Sequence, residues 1–190
     1  MTILSDSEII ELCSSPDGMI TPFVSHQVRV DENGRKILSY GLSSYGYDVT
    51  LANEFKIFTN INSVIIDPLD FKNATCVDHQ GEYCIIPPNS YILGRTREHF
   101  HMPKDITAIC VGKSTYARAG CIVNVTPIEA GFEGQVVIEL SNATNLPLKV
   151  YAGMGIAQFL FFKGNRECSV SYADGNRKYQ GQTGIQTPIV

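Results

Sequence analysis

Between Tyr47 and Phe162 the chain is a series of short apolar or alternating runs, each closed by turn residues. Tyr47–Val49–Leu51 alternates with Asp48 and Thr50, and Phe55–Phe58, Val64–Ile66, Tyr83–Ile86, Tyr91–Gly94 and Ile106–Val111 follow. Ile122–Val125, Gln135–Leu140, Leu148–Tyr151 and Ile156–Phe162 complete the series. Asp67–Pro68, Pro87–Pro88–Asn89, Met102–Pro103, Gly131 with Gly134, Asn145–Leu146–Pro147 and Gly153 punctuate it. Short runs of this kind, without a helical period, constrain the chain to an all-β barrel or sandwich. The N-terminus is the exception. There Ser5 and Glu8 form a capping box ahead of Ile9, Ile10, Leu12 and Cys13, and Pro16–Asp17–Gly18 stops the helix. The 190 residues suit a single domain over 1–190, and a domain of that size buries roughly 70% of its unfolded surface. From Gly164 onward the chain turns polar and glycine-rich, with Arg166, Arg177 and Lys178. This segment, 164–190, reads as disordered or as an arm that orders on a ligand or a neighbouring subunit.

Charge and spacing remove whole classes of function. Lys and Arg total 15 against 19 acidic residues, a formal charge of −4. Nucleic-acid binders carry a basic excess instead. No apolar run reaches the roughly 20 residues of a membrane span, so no membrane partner is expected. The six cysteines invite a zinc or disulfide reading. Cys13, Cys76, Cys84, Cys110, Cys121 and Cys168 never fall two to four residues apart, so no zinc knuckle forms. His99 and His101 are close, but no cysteine pair accompanies them. Ser5 to Glu11 is polar and acidic, unlike a secretory leader. The cysteines are therefore expected to be reduced in a cytoplasmic protein, with thiols such as Cys110 acting as small core side chains.

Three segments carry chemistry, and each has a plainer reading beside it. In Gly112–Lys113–Ser114–Thr115–Tyr116–Ala117–Arg118–Ala119–Gly120 an apolar strand runs into about one helical turn. Free N–H groups at that turn, with Lys113 and two hydroxyls, can cradle an anion. Alternatively, Ser114 simply caps a short helix. It is not a Walker A loop, because the upstream glycine is missing. In Gly134–Gln135–Val136–Val137–Ile138–Glu139–Leu140–Ser141–Asn142, alternation puts Gln135, Val137 and Glu139 on one face and Val136, Ile138 and Leu140 on the other. If the second face is the core, Glu139 points at solvent or into a cleft. In a cleft, apolar surroundings would raise its pKa toward that of a proton shuttle. Arg177–Lys178–Tyr179–Gln180–Gly181–Gln182 suits a phosphate-gripping lid or a solvated terminus.

In this order, with Ser44–Tyr45–Gly46–Tyr47–Asp48–Val49 ahead of them, these segments resemble the dCTP deaminase family of the trimeric dUTPase-like superfamily. The runs that carry the resemblance are Ser-Tyr-Gly-Tyr-Asp-Val, Lys-Ser-Thr-x-x-Arg, Val125–Thr126, Val-Ile-Glu-Leu and Lys-Tyr-Gln-Gly-Gln, and together they span nearly the whole chain. The resemblance implies a distorted β-barrel of the dUTPase-like, β-clip type, with a short N-terminal helix and a C-terminal arm that closes the active site. It implies a homotrimer with active sites between subunits. It implies hydrolysis of the cytosine 4-amino group of dCTP, giving dUTP and ammonia, with Mg²⁺ arriving on the triphosphate and no metal held by the protein. Glu139 matches the proton shuttle, Arg118 the catalytic arginine, and Ser114 a residue that fixes the attacking water. Lys113, Ser114, Thr115, Tyr116, Ala117, Arg118, Gln158, Tyr172, Lys178 and Gln182 match substrate-binding positions, as do Val137, Ile138 and Glu139. dTTP is a candidate inhibitor.

The residue types agree with that chemistry. Zinc deaminases need H-x-E and P-C-x-x-C motifs, and neither occurs here, so the expected mechanism is zinc-independent general acid–base catalysis. Departures from the common family pattern cluster near the base. Lys113 stands for an arginine and loses its bidentate fork. Thr115 stands for a serine. The Thr126–Gly134 turn is short, lacks a His-Arg pair, and carries Glu129 where an aspartate is common. The alternatives are a bifunctional enzyme that also releases pyrophosphate, a dUTPase alone, and a non-catalytic nucleotide-binding trimer.

Overall fold

The computed structural model describes residues 1–61, 63–71, 75–175 and 177–189. In chain order the elements are β1 (Thr2–Ile3), α1 (Asp6–Cys13), β2 (Ile20–Thr21), β3 (Gln27–Val30), β4 (Lys36–Ser43), β5 (Gly46–Thr50), β6 (Glu54–Phe58), β7 (Cys76–Gln80) and β8 (Tyr83–Ile86). Then come β9 (Tyr91–His101), β10 (Ile106–Gly112), α2 (Ser114–Arg118), β11 (Cys121–Asn124), β12 (Glu133–Asn142), β13 (Leu148–Tyr151) and β14 (Gly155–Lys163). The expected helix starts where its capping box places it: the Ser5 N–H donates to the Glu8 carboxylate at 2.8 Å.

Among the described residues, two six-stranded antiparallel sheets and one two-stranded pair make up the body. One sheet runs β1–β14–β5–β4–β3, with β10 on the other edge of β14. The other runs β11–β12–β9–β6–β7, with β2 joined to β9. β8 and β13 form the small pair. Each large sheet turns one apolar face inward. Tyr47, Val49, Phe159 and Phe161 from the first meet Phe55, Ile92, Phe100, Ile138 and Leu140 from the second in one core. Phe100 and Phe159 touch directly, with ring centroids 5.1 Å apart. This is the mainly-β fold that the punctuated runs require, with its strands divided between sheets.

A wide irregularity in β9 shapes the strand that matters most. Gln135 of β12 pairs with His99, whereas Val137 pairs with Arg95, so three residues of β9 bulge opposite Val136. Thr96 stitches the bulge: its hydroxyl donates to the Glu98 carbonyl at 2.7 Å and accepts from the Val136 N–H at 3.0 Å. Glu98 is buried and accepts hydrogen bonds from the N–H and hydroxyl of Thr50, tying the bulge to β5. Burial pushes its carboxyl above the usual carboxylate range.

Three expectations need correction. Val64–Ile66 is not a strand; all three side chains are exposed, and β-propensity without a partner surface does not make a strand. β3, β4 and β7 are strands that no expected run covers: β3 and β7 are largely polar, and serine and glycine break up the apolar residues of β4. Residues 171–184 of the tail, expected to be disordered or to order on a ligand or neighbour, clasp the 130–135 turn of their own chain. Tyr172 N–H donates to Ala130 O, Gly181 N–H to Glu133 O and Gln135 N–H to Gln182 O, all at 2.8–2.9 Å. Gly134 makes this approach possible. Its φ is +142°, and a Cβ there would sit 2.9 Å from the Gln182 backbone. Among the described residues no helix is long and apolar enough to cross a membrane.

Candidate active site

β12 alternates as its sequence demands: Val136, Ile138 and Leu140 are buried in the core, and Gln135, Val137 and Glu139 face the other way. Glu139 therefore enters a cavity of about 440 Å³, a volume that suits a nucleoside. The β11–β12 connection supplies one wall through Val125, Thr126, Pro127 and Glu129, and Phe58, Tyr91 and Leu93 supply another. The tail closes over it with Tyr172, Tyr179, Gln182, Gln186 and Pro188. Tyr91 is braced edge-on by Phe58 at 5.0 Å, and Tyr172 by Phe132 at 5.6 Å.

Burial in this mostly apolar enclosure pushes the Glu139 carboxyl up to about 7, against a smaller opposing pull from its own backbone N–H. Its Oε2 is buried and has no hydrogen-bond partner among the described residues. Burial, with the nearby Glu139 charge, also pushes the Tyr91 phenol and the Cys110 thiol up to about 12. The Glu139 carboxyl is thus half-protonated near neutral pH and has one oxygen free to meet a ligand.

The edge of β12 adds backbone groups. β11 covers that edge from Asn142 back to Glu139, and the tail takes it at Gly134 and Gln135. Val137 lies between the two. Strand N–H groups alternate sides, so its peptide faces the same edge as that of Gln135. Ile138 is different: its side chain is buried in the core opposite Gly94, so it backs the cavity rather than lining it.

The other expected residues gather elsewhere on the chain. Ser114, Thr115, Ala117 and Arg118 are exposed on α2, outside the Glu139 cavity. Lys113, not Ser114, is the N-cap of α2, and no side chain caps it, so the plain capping reading of Ser114 fails. Tyr116 turns inward: it is 4% exposed, and its hydroxyl accepts from the Tyr151 N–H, so its side chain belongs to the core and not to a ligand. Nor is Lys113 the free cation its sequence suggested. Its ammonium donates to Asp48 at 2.9 Å in a pair whose side chains are 12% and 9% exposed. Across the sheet, Gln158 stands opposite Asp48 and donates to the Ser43 hydroxyl. Lys178, on the tail, donates to the Ile189 carbonyl at 3.0 Å.

One chain therefore brings together Glu139, Val137, Tyr172 and Gln182, and holds Ser114, Thr115 and Arg118 apart from them. Phe58, Tyr91 and Gln186 escaped the sequence reading. Phe58 and Tyr91 sit in ordinary strand runs, and only the registers of β6 against β9 and of β9 against β12 reveal their proximity to Glu139. All six cysteines are free; Cys84 and Cys121 are buried, whereas Cys168 is exposed. Among the described residues no three His, Cys, Asp or Glu side chains come together.

Residues 3–164 match the family model described as dCTP deaminase-like. A curated dCTP deaminase of Acinetobacter baumannii (strain AYE) is 54% identical over 188 residues, covering 99% of each chain. One from Acidovorax sp. (strain JS42) is 56% identical with the same coverage. Among solved structures, the 2′-deoxycytidine 5′-triphosphate deaminase from Agrobacterium tumefaciens aligns with 85% of this chain at a TM-score of 0.62 and 17% identity. The alignment spans 48% of that longer chain, and at this identity the likeness speaks for the fold.

Proposed function

This chain belongs to the dCTP deaminase-like family and is a hydrolase that deaminates dCTP, and we propose that Glu139 moves the protons of that reaction. The observation that carries the assignment is a desolvated carboxyl with a pKa of about 7 and one unpartnered oxygen, set in a cavity of nucleoside size. In the proposed sequence a water attacks C4 of cytosine and gives its proton to Glu139. Glu139 passes that proton to N3 as the tetrahedral carbon forms. It then takes the proton of the new hydroxyl and hands it to the amine. The C4–N4 bond breaks, and dUTP and ammonia leave. A carboxyl poised near neutrality can both take and return a proton, and such acid–base help is worth about 10²–10⁴-fold.

Ser114 would fix the water and Arg118 would stabilise charge in the tetrahedral state. Both are exposed on α2 and outside the cavity of their own chain. We therefore assign them to the cavity of a neighbouring copy, in a homotrimer whose sites lie between subunits. Thr115, Gln158, Lys178, Gln182 and Lys113, the last sharing its ammonium with Asp48, would meet the nucleotide and its triphosphate, which enters as a complex with Mg²⁺. Val137 would offer its peptide edge to the base or sugar. dTTP would inhibit by filling the same cavity. Glu129, on the cavity wall, keeps a second reading specific: a carboxylate there could activate water at phosphorus and yield dUMP.

The test is direct. Purified protein given dCTP and Mg²⁺ should release ammonia and accumulate dUTP. Release of pyrophosphate with dUMP supports the bifunctional reading. Binding without turnover contradicts the catalytic assignment.

A further inference from the structure

Three buried polar side-chain atoms lack a hydrogen-bond partner among the described residues: Thr59 Oγ1, Glu139 Oε2 and Gln186 Oε1. Buried acceptors without partners are rare in folded proteins, and each calls for a reason. Thr59 stands apart from the site. Glu139 and Gln186 line the same cavity, so two orphan acceptors share one nucleoside-sized space. The first has its role as the proton shuttle. The second has none.

Gln186 is not loosely placed. Before it, the tail is pinned to β12: Gln182 bridges Gly134, its side-chain amide donates to the Gln135 carbonyl, and the Gly184 N–H donates to Gln135 Oε1 at 3.1 Å. After it, Ile189 is pinned at both backbone groups. Its N–H donates to the Tyr179 hydroxyl at 3.3 Å, and its carbonyl accepts from Lys178. Gln186 sits between these anchors, and Pro188, on its far side, lines the same cavity. Such an arrangement fixes an amide oxygen at the site without satisfying it.

We propose that Gln186 is a recognition residue of this cavity, whose amide oxygen accepts a hydrogen bond from a donor on the bound deoxycytidine nucleotide. The proposal rests on the assignment of the cavity to dCTP. On that substrate the donors are few. N3, O2 and the ionised phosphate oxygens only accept. The exocyclic amine and the sugar 3′-hydroxyl are the groups with a hydrogen to give, and Gln186 takes it from one of them. A site built to bond a substrate NH or OH rejects analogues that lack it, because its own buried group is then left unpaired.

The experiment compares the full-length protein with Gln186→Leu and Gln186→Met. It measures kcat and KM for dCTP and for 2′,3′-dideoxy-CTP, and the inhibition constant of dUTP. The expected result for both variants is a KM for dCTP raised about tenfold, the loss of one such bond, with kcat within about twofold of the parent. A loss shared by dCTP and dUTP but absent with the dideoxy nucleotide assigns the donor to the 3′-hydroxyl. A loss shared by dCTP and the dideoxy nucleotide but absent with dUTP assigns it to the amine. Equal loss with all three ligands overturns the proposal, since Gln186 would then only hold the tail in place. No loss with any ligand overturns it as well. If the parent protein itself fails to turn over dCTP, the deaminase reading fails, and that outcome is separate from the variant comparison.

Discussion

The cavity behind β12 and the surface around α2 are built on opposite physical terms. The cavity is mostly apolar and roofed by the chain's own tail, and its Glu139 carboxyl is pushed up to about 7 by burial. The α2 surface is open, with two hydroxyls and Arg118 in solvent and a lysine already paired with Asp48. The difference teaches what each half can do. Proton transfer at neutral pH needs a carboxyl taken out of water. Holding a triphosphate needs charged and hydroxyl donors that water has not sealed off. A single chain separates the two halves, so the proposed site takes one from each of two copies.

The sharpest way to break this contrast is on the cavity side. Glu139→Gln should lower kcat by about 10²–10⁴-fold while dCTP still binds, because the shape is kept and the proton carrier is gone. Retained turnover would remove Glu139 from the mechanism. On the open side, Arg118→Ala and Ser114→Ala should each cost about 10²–10³-fold in kcat. They should leave thermal stability within about 0.5 kcal/mol of the parent, as befits exposed residues. A large fall in Tm would show that α2 is part of the packing instead.

Lys113→Met probes a part of the α2 surface that is not open. It strands the Asp48 carboxylate in a mostly buried position and should destabilise the fold by about 3 kcal/mol. Adding Asp48→Asn should restore most of that loss, and failure to restore it would mean that the pair is not the source.

The smallest effect returns to Glu139 and reverses sign. Its folded pKa lies above its unfolded value, so the folded protein binds the proton more tightly. Stability is full below the ordinary carboxylate range and falls as pH rises through about 7. Glu139→Gln should therefore be more stable than the parent by about 1–3 kcal/mol at pH 8, a gain that fades below about pH 5. Equal melting temperatures across that range would mean that Glu139 is not desolvated.

Much of this was legible in the sequence where a period exists. Alternation in Gln135–Leu140 placed Glu139 on the face away from the core, and the structure puts it there. The capping box fixed the start of α1, and the punctuated runs located most of the strands. What stayed hidden has no period. The bulge in β9 depends on Thr96 reaching across to Val136, a contact between strands far apart in sequence. The Lys113–Asp48 pair joins residues 65 positions apart. Gln186 lies in a tail without a strand or helix pattern, and only its neighbours at Gly134 and Tyr179 explain why it is held in the cavity. Val64–Ile66 shows the converse, a β-rich run that stays exposed because no sheet edge receives it.

The two halves are assigned to different copies, and mixing inactive variants tests that assignment most directly. Glu139→Gln lacks a working cavity and Arg118→Ala lacks a working α2 surface. Co-expressed and purified as mixed oligomers, they should regain up to about one quarter of parental activity, since about one site in four then pairs an intact cavity with an intact α2. Each variant alone should stay inactive. If the mixture stays as inactive as its components while mixed oligomers demonstrably form, both halves act within one chain and the account is wrong.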